Sequence, residues 1–145
     1  MYVQTPDQFL SFVVLLACCG FALWRGGRAE RIAAMAMMLA WFATPLVQNV
    51  QQTLGPQSGV LIVDVLLLLV LLNLALTSDR WWTMVAAGFQ GVSALVHLAA
   101  ALDQQIIPRA YYVAGSLLSY LTMGALLTGA VNAHRRARPK SDPPS

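Results

Sequence analysis

The chain has 145 residues, of which 58% are hydrophobic and only 10% are charged, and its formal net charge is +3. Soluble domains carry about 25% charged residues, so this composition excludes an ordinary soluble surface and predicts an integral membrane protein. The length allows one compact domain. Basic residues that lie between apolar runs are typical of membrane topology signals, so we do not expect nucleic-acid binding.

Five apolar runs predict five antiparallel transmembrane helices. The first covers residues 9–24 and is short for a span, and no Lys or Arg precedes it, so we do not expect a signal peptide. A basic loop over residues 25–31 follows, in which Gly26 and Gly27 favour a tight reversal. The second run then covers residues 32–50.

The third run, residues 60–77, is nearly unbroken and is long enough to cross a hydrocarbon core of about 30 Å. The fourth, residues 81–102, begins with two tryptophans, as expected at a membrane interface. The fifth covers residues 111–131. We therefore predict an all-α transmembrane domain over residues 1–134 and a basic, disordered cytoplasmic tail over residues 135–145.

The basic residues predict the orientation of the helices. With the N-terminus outside and the C-terminus inside, one of the nine basic residues, Arg109, faces outward. The other eight face inward as topogenic, lipid-facing residues: Arg25, Arg28, Arg31, Arg80, Arg135, Arg136, Arg138 and Lys140. The alternative of four spans after cleavage of the first run leaves the first arginine loop outside, so five spans are favoured. Such clusters more often set topology than bind anionic lipid specifically.

Small residues at four-residue spacing predict close packing between the helices. Ala36, Ala40 and Thr44 form one such stripe in the second run, and Ala125, Gly129 and Ala133 form another in the fifth. The adjacent Cys18 and Cys19 give neither metal spacing nor a disulfide framework, so we expect them to be packing residues.

Polar residues inside the apolar runs are the candidate functional residues, because ionisable groups are costly within a membrane. Asp64 in the third run and His97 in the fourth are expected at the same depth, near the outer face. The sequence predicts a polar pocket centred on this pair. Its other candidate members are Gln90, Ser93, Thr44, Tyr112, Ser116 and Tyr120.

The competing interpretation of Asp64 and His97 is a structural pair that holds two helices in register. Asn73 lies nine residues after Asp64, about 180° around the helix, and is expected to contact another helix or a second copy of the chain. His97 could also ligate a haem or pigment, although His134, the other histidine, is expected at the opposite membrane boundary.

The block SDRWW (residues 78–82), with AGFQGVSALVHLAAALD (residues 87–103) and YYVAGSLLSYL (residues 111–121), resembles a group of small polytopic bacterial inner-membrane proteins. The resemblance covers about the second half of the chain. It implies a helical membrane protein in a bacterial inner membrane, but it implies no activity and assigns no functional residue.

The leading functional hypothesis is a non-enzymatic accessory or interaction subunit, in a larger membrane complex or a homo-oligomer. No catalytic motif and no Cys/His metal spacing is present in the sequence, so we expect neither an enzyme nor a metal site. The alternative is a small transporter or proton-linked conduit that uses Asp64 and His97.

Overall fold

A computed structural model describes residues 6–47, 58–102 and 108–137 of the chain, and its side chains at residues 9–47, 59–102 and 113–137. These residues form five α-helices, which confirms the all-α prediction for the described part of the chain. They are α1 (Pro6–Arg25), α2 (Arg28–Val47), α3 (Ser58–Thr77), α4 (Trp81–Leu102) and α5 (Pro108–Ala137).

Four of these helices, α2 to α5, contain segments that are long and apolar enough to cross a membrane. The apolar part of α1, Phe9–Arg25, is shorter. The helices carry many large apolar side chains on their exposed faces, such as Leu39, Leu66 and Leu95. A protein in water rarely exposes so much apolar surface, so the described helices have the character of a multi-pass membrane protein.

The link between α1 and α2 is shorter than the predicted loop over residues 25–31. Only Gly26 and Gly27 separate the two helices, and the backbone N–H of Arg31 donates to the carbonyl of Gly27 at 3.0 Å. Arg28, Glu30 and Arg31 therefore belong to the first turn of α2, where the prediction of a basic loop was wrong. Glu30 is a favourable residue there because a carboxylate stabilises a helix N-terminus.

The last helix is longer than the predicted fifth span. Arg135 and Arg136 lie in the last turn of α5, so the predicted disordered tail does not begin at residue 135. Basic side chains at a helix C-terminus interact favourably with the helix dipole, which explains why the helix continues through them. Residues 48–50 of the predicted second span and residues 138–145 of the predicted tail lie outside the described residues.

The core between the helices is made mostly of small side chains with a few large ones. Its largest fully buried members are Trp82, Leu15, Leu71 and Leu126. Cys18 and Cys19 are buried free thiols within it, as expected of packing residues. The small-residue stripe of α5 is also buried at Ala125 and Gly129, which allows α4 and α5 to approach closely.

Contacts between side chains fix which helices are neighbours. The ring of Phe12 in α1 stacks on Trp41 in α2 with centroids 5.0 Å apart. Ser11 in α1 shares a hydrogen bond with the hydroxyl of Tyr120 in α5 at 2.5 Å. Helix α1 packs on α2 and α5, and α4 packs on α3 and α5. Helix α4 therefore lies between α3 and α5. It carries polar side chains toward both of its ends.

Candidate functional site

An ion-pair geometry joins α3 to α4. Nε2 of His97 lies 2.9 Å from Oδ2 of Asp64, and the two side chains are only 13% and 18% exposed, respectively. Asp64 is the seventh residue of α3, and His97 is five residues before the end of α4, so the expectation of equal depth agrees with the contact. The sequence predicted a shared depth, and the structure adds the rotation of each helix that brings the two groups together.

Two further predicted residues reach Asp64 from the same face of α4. The hydroxyl of Ser93 donates to Oδ2 of Asp64 at 3.2 Å, and Nε2 of Gln90 donates to the backbone carbonyl of Asp64 at 3.4 Å. Gln90, Ser93 and His97 recur at three- and four-residue spacing, which places them on one stripe of the helix. This Asp64 cluster therefore consists of one α3 residue that receives donors from three α4 side chains.

The other hydroxyls predicted for the pocket do not bond to this cluster. The hydroxyl of Thr44 donates to the carbonyl of Ala40 in its own helix at 2.8 Å, as threonines inside helices commonly do. Tyr120 is engaged with Ser11, and Ser116 is exposed. Tyr112 lies outside the residues whose side chains are described. The sequence predicted a pocket formed by four helices. Among the described side chains, the polar contacts to Asp64 instead join only two helices, α3 and α4.

The chemistry open to the Asp64 cluster is proton binding. A carboxylate and an imidazole each bind one proton, and a contact between them allows a proton to be shared. The partial exposure of both groups leaves one edge of the pair at the surface of the bundle. The same contacts also hold α3 and α4 in register.

A second polar cluster, which was not predicted from the sequence, lies at the other end of α4. The carboxylate of Glu30 is completely buried, and its Oε1 accepts hydrogen bonds from Nη1 of Arg80 at 3.2 Å and from Nε1 of Trp82 at 3.1 Å. Glu30 belongs to α2, Arg80 directly precedes α4, and Trp82 is its second residue. Arg80 was predicted only as a topogenic residue, but it also neutralises a buried carboxylate.

Close backbone approach makes this Glu30 cluster possible. A Cβ atom at Gly27 would lie 2.9 Å from Oε2 of Glu30, and one at Gly129 would lie 2.5 Å from Nε1 of Trp82. The other oxygen of the carboxylate, Oε2, is buried and accepts no hydrogen bond from the described residues. The sequence signal for this site is positional: Glu30 is the only acidic residue in the first turn of α2 and follows the Gly26-Gly27 turn by three residues.

The remaining predicted residues lie apart from both clusters. Asn73 is exposed on α3, and His134 near the end of α5 lies against Phe21, with ring centroids 6.5 Å apart. Nε2 of His97 is engaged by Asp64, so haem ligation through that atom would require the pair to break. Among the described side chains, no three His, Cys, Asp or Glu residues come together as a metal site.

The basic residues within the described part of the chain lie at or next to helix ends. Those that are described and exposed are Arg25, Arg28, Arg31, Arg135 and Arg136, whereas Arg138 and Lys140 lie outside the described residues. The guanidinium of Arg25 lies over the indole of Trp24, 4.1 Å from the ring centroid. Trp24 is 70% exposed, and an exposed tryptophan beside arginine is typical of a membrane interface.

Comparison with known proteins found no matching family model, no matching curated protein and no matching solved structure. The resemblance to small bacterial inner-membrane proteins therefore remains a prediction, and any function must be inferred from the geometry of the two clusters and of the helix surfaces.

Proposed function

We propose that this chain is a non-enzymatic accessory or interaction subunit of a bacterial inner membrane, with five antiparallel spans, the N-terminus outside and the C-terminus inside. The observation that carries the proposal is Asn73. Its side chain is exposed on α3, and among the described residues its carboxamide has no hydrogen-bond partner.

An outward-facing amide favours association with another helix. Asn73 is surrounded on α3 by exposed leucines, including Leu69, Leu72 and Leu76. An amide that faces hydrocarbon without a partner is unfavourable, whereas a hydrogen bond between two membrane helices contributes about 1 kcal/mol. A helix from a partner subunit, or α3 of a second copy, would remove this exposure and cover the leucines at the same time.

Contacts between distant residues support the antiparallel arrangement. Residue 12 of α1 meets residue 41 of α2, and residue 64 of α3 meets residue 97 of α4, so each pair joins an early residue to a late one. In contrast, Ser11 and Phe21 of α1 meet Tyr120 and His134 of α5 in the same order. Alternating direction through five spans produces this pattern.

The interaction proposal is tested by affinity purification from native membranes in a mild detergent, with mass spectrometry of the proteins that copurify. We expect a stoichiometric partner or a homo-oligomer. We expect Asn73→Leu to reduce the amount of copurifying partner, or of homo-oligomer, severalfold. The matched control is Asn132→Leu, which removes an amide near the end of α5. Recovery of the native protein as a monomer, or equal recovery of the complex from both variants, contradicts the proposal.

The orientation is tested with a single surface cysteine. Asp79, exposed between α3 and α4, is replaced by Cys, while Cys18 and Cys19 are buried and give little background. A maleimide that does not cross membranes should label Asp79→Cys only after the cells are opened. Labelling in intact spheroplasts reverses the proposed orientation.

The contact between Asp64 and His97 favours a second candidate, a small transporter or proton-linked conduit. A proton bound by this pair at the edge of the bundle could be passed on if the two groups separate. The test is proton flux into liposomes that contain the native protein, Asp64→Asn or His97→Ala. Asp79→Asn, which removes an exposed carboxylate outside the cluster, is the control. The conduit requires flux that both cluster variants abolish and the control retains, and equal flux in all four proteins ends it.

A further inference from the structure

An open groove lies where α1 turns into α2, beside the Glu30 cluster at Gly27. It has a volume of about 630 Å³ and is lined by Gly26, Gly27, Arg28, Arg31, Ile32 and Met35. We refer to it as the turn groove. Its two arginines were predicted as topogenic residues, and neither contributes to the Asp64 cluster or the Glu30 cluster.

The positive charge of the turn groove is not compensated within the described part of the chain. Arg28 and Arg31 are exposed, and neither forms an ion pair with a described carboxylate. Glu30 lies between them in the sequence, but its carboxylate is buried and bonded to Arg80 and Trp82. Because Oε1 of Glu30 is bonded to Arg80 and Trp82 and no described carboxylate pairs with Arg28 or Arg31, these two guanidinium groups remain available to an anion.

The lower wall of the turn groove is apolar. Ile32 and Met35 follow Arg28 and Arg31 by four residues each, so the two apolar side chains lie one helical turn below the two basic ones on the same face of α2. Ile32 is partly buried, and Met35 is 50% exposed. The exposed Trp24 at the end of α1 places this turn at a membrane interface.

We propose that the turn groove binds one anionic phospholipid. Arg28 and Arg31 bind its phosphate, and one acyl chain lies along Ile32 and Met35. Guanidinium groups bind phosphate oxygens with two parallel hydrogen bonds, and a phosphate above hydrocarbon matches the division of the groove into a basic rim and an apolar wall. The apolar wall favours a membrane lipid over free phosphate as the occupant.

The test uses purified, delipidated full-length protein and native mass spectrometry with added phosphatidylglycerol or phosphatidylcholine. We expect one tightly retained phosphatidylglycerol per chain and weaker retention of phosphatidylcholine. Arg28→Gln/Arg31→Gln should weaken phosphatidylglycerol binding roughly ten- to thirty-fold, since each basic residue near an anionic lipid contributes about 1 kcal/mol. Arg135→Gln/Arg136→Gln removes the same charge from the last turn of α5 and should bind as the native protein does.

Two further arms distinguish a lipid seated in the turn groove from attraction by charge alone and from binding of free phosphate. Met35→Trp keeps both arginines but fills the groove at an exposed position, so it should also weaken phosphatidylglycerol binding. Unchanged phosphatidylglycerol binding in Met35→Trp would show that charge alone attracts the lipid, and this result would contradict the proposal that the lipid binds in the turn groove. Equal loss in the two double variants overturns it as well, and displacement of the lipid by inorganic phosphate would make the site one for free phosphate.

Discussion

Trp82 donates its indole N–H to Oε1 of Glu30 at 3.1 Å, and neither side chain has more than 2% of its surface exposed. This hydrogen bond connects the second residue of α4 to the first turn of α2, two helices that lie far apart in the sequence. Arg80 approaches the same oxygen and supplies the compensating charge. The bond therefore sets the position of the beginning of α4 relative to α2.

Glu30→Ala should lower the free energy of unfolding by about 3 kcal/mol, because it leaves the N–H of Trp82 and the charge of Arg80 without an acceptor. Arg80 is partly exposed, so water compensates some of this loss. Glu30→Gln keeps a carbonyl acceptor and should cost about 1 kcal/mol. Reversible unfolding in mixed detergent and dodecyl sulfate micelles, followed by tryptophan fluorescence, measures both. Equal stability of Glu30→Ala and the native protein contradicts the structural role of this carboxylate.

Gly129→Ala should destabilise the protein by about 1–3 kcal/mol, because the new methyl group would lie 2.5–2.7 Å from atoms of the Trp82 indole. The indole is buried and bonded to Glu30, so it has little freedom to move away. Gly124→Ala is the matched control, since a Cβ atom there meets nothing within 4 Å, and its effect should stay within about 0.5 kcal/mol. The same unfolding experiment compares the two, and similar effects would show that Trp82 does not require the glycine.

Asp64 and His97 should be energetically coupled. Asp64→Asn, His97→Gln and the double variant form a double-mutant cycle, and we expect a coupling energy of about 1 kcal/mol, the size found for polar contacts between membrane helices. The cycle is measured by unfolding in mixed micelles. Strictly additive effects would mean that the 2.9 Å contact contributes nothing to stability.

The two glycines between α1 and α2 should differ in their tolerance of alanine. A Cβ atom at Gly26 would collide with the backbone carbonyl oxygen of Ala22, whereas one at Gly27 would meet the Oε2 atom of the Glu30 side chain at 2.9 Å. A side chain yields more easily than backbone, so Gly26→Ala should reduce the yield of folded protein more than Gly27→Ala does. Gly88→Ala, which meets no atom within 4 Å, serves as the control. A larger loss for Gly27→Ala would reverse this ranking.

Hydrophobic patterning was sufficient to predict the helices. Runs of about twenty apolar residues have few structural alternatives in a membrane, which explains why α3 and α4 begin and end within two residues of their predicted positions. The prediction was wrong where polar residues continue a helix. Arg28 and Glu30 were assigned to a loop and Arg135 to a tail, but helix ends accept such side chains at their termini.

Depth in the membrane predicted only part of the candidate sites. Equal depth correctly suggested that Asp64 and His97 were worth pairing, but depth alone also admitted Thr44 and Tyr120, whose hydroxyls bond elsewhere. Only the rotation of each helix separates these cases, and a nearly uniform apolar run does not determine that rotation. Glu30 was missed because a charge in an expected loop is usually solvated, whereas here the short turn at Gly26 and Gly27 buries it.

The polar contacts of α4 have a mechanical consequence. Arg80 and Trp82 attach its beginning to α2, and His97 attaches its far end to α3, seventeen residues from Arg80 and so about 25 Å along the axis. Because α4 is bonded to its neighbours near both ends, a shift of the helix along its axis would lengthen the contacts at Glu30 and at Asp64 together. Loss of the contacts at one of these residues leaves the contacts at the other in place. Separation of α4 from α2 at Glu30, or from α3 at Asp64, would therefore be opposed by the polar contacts that remain at the other end.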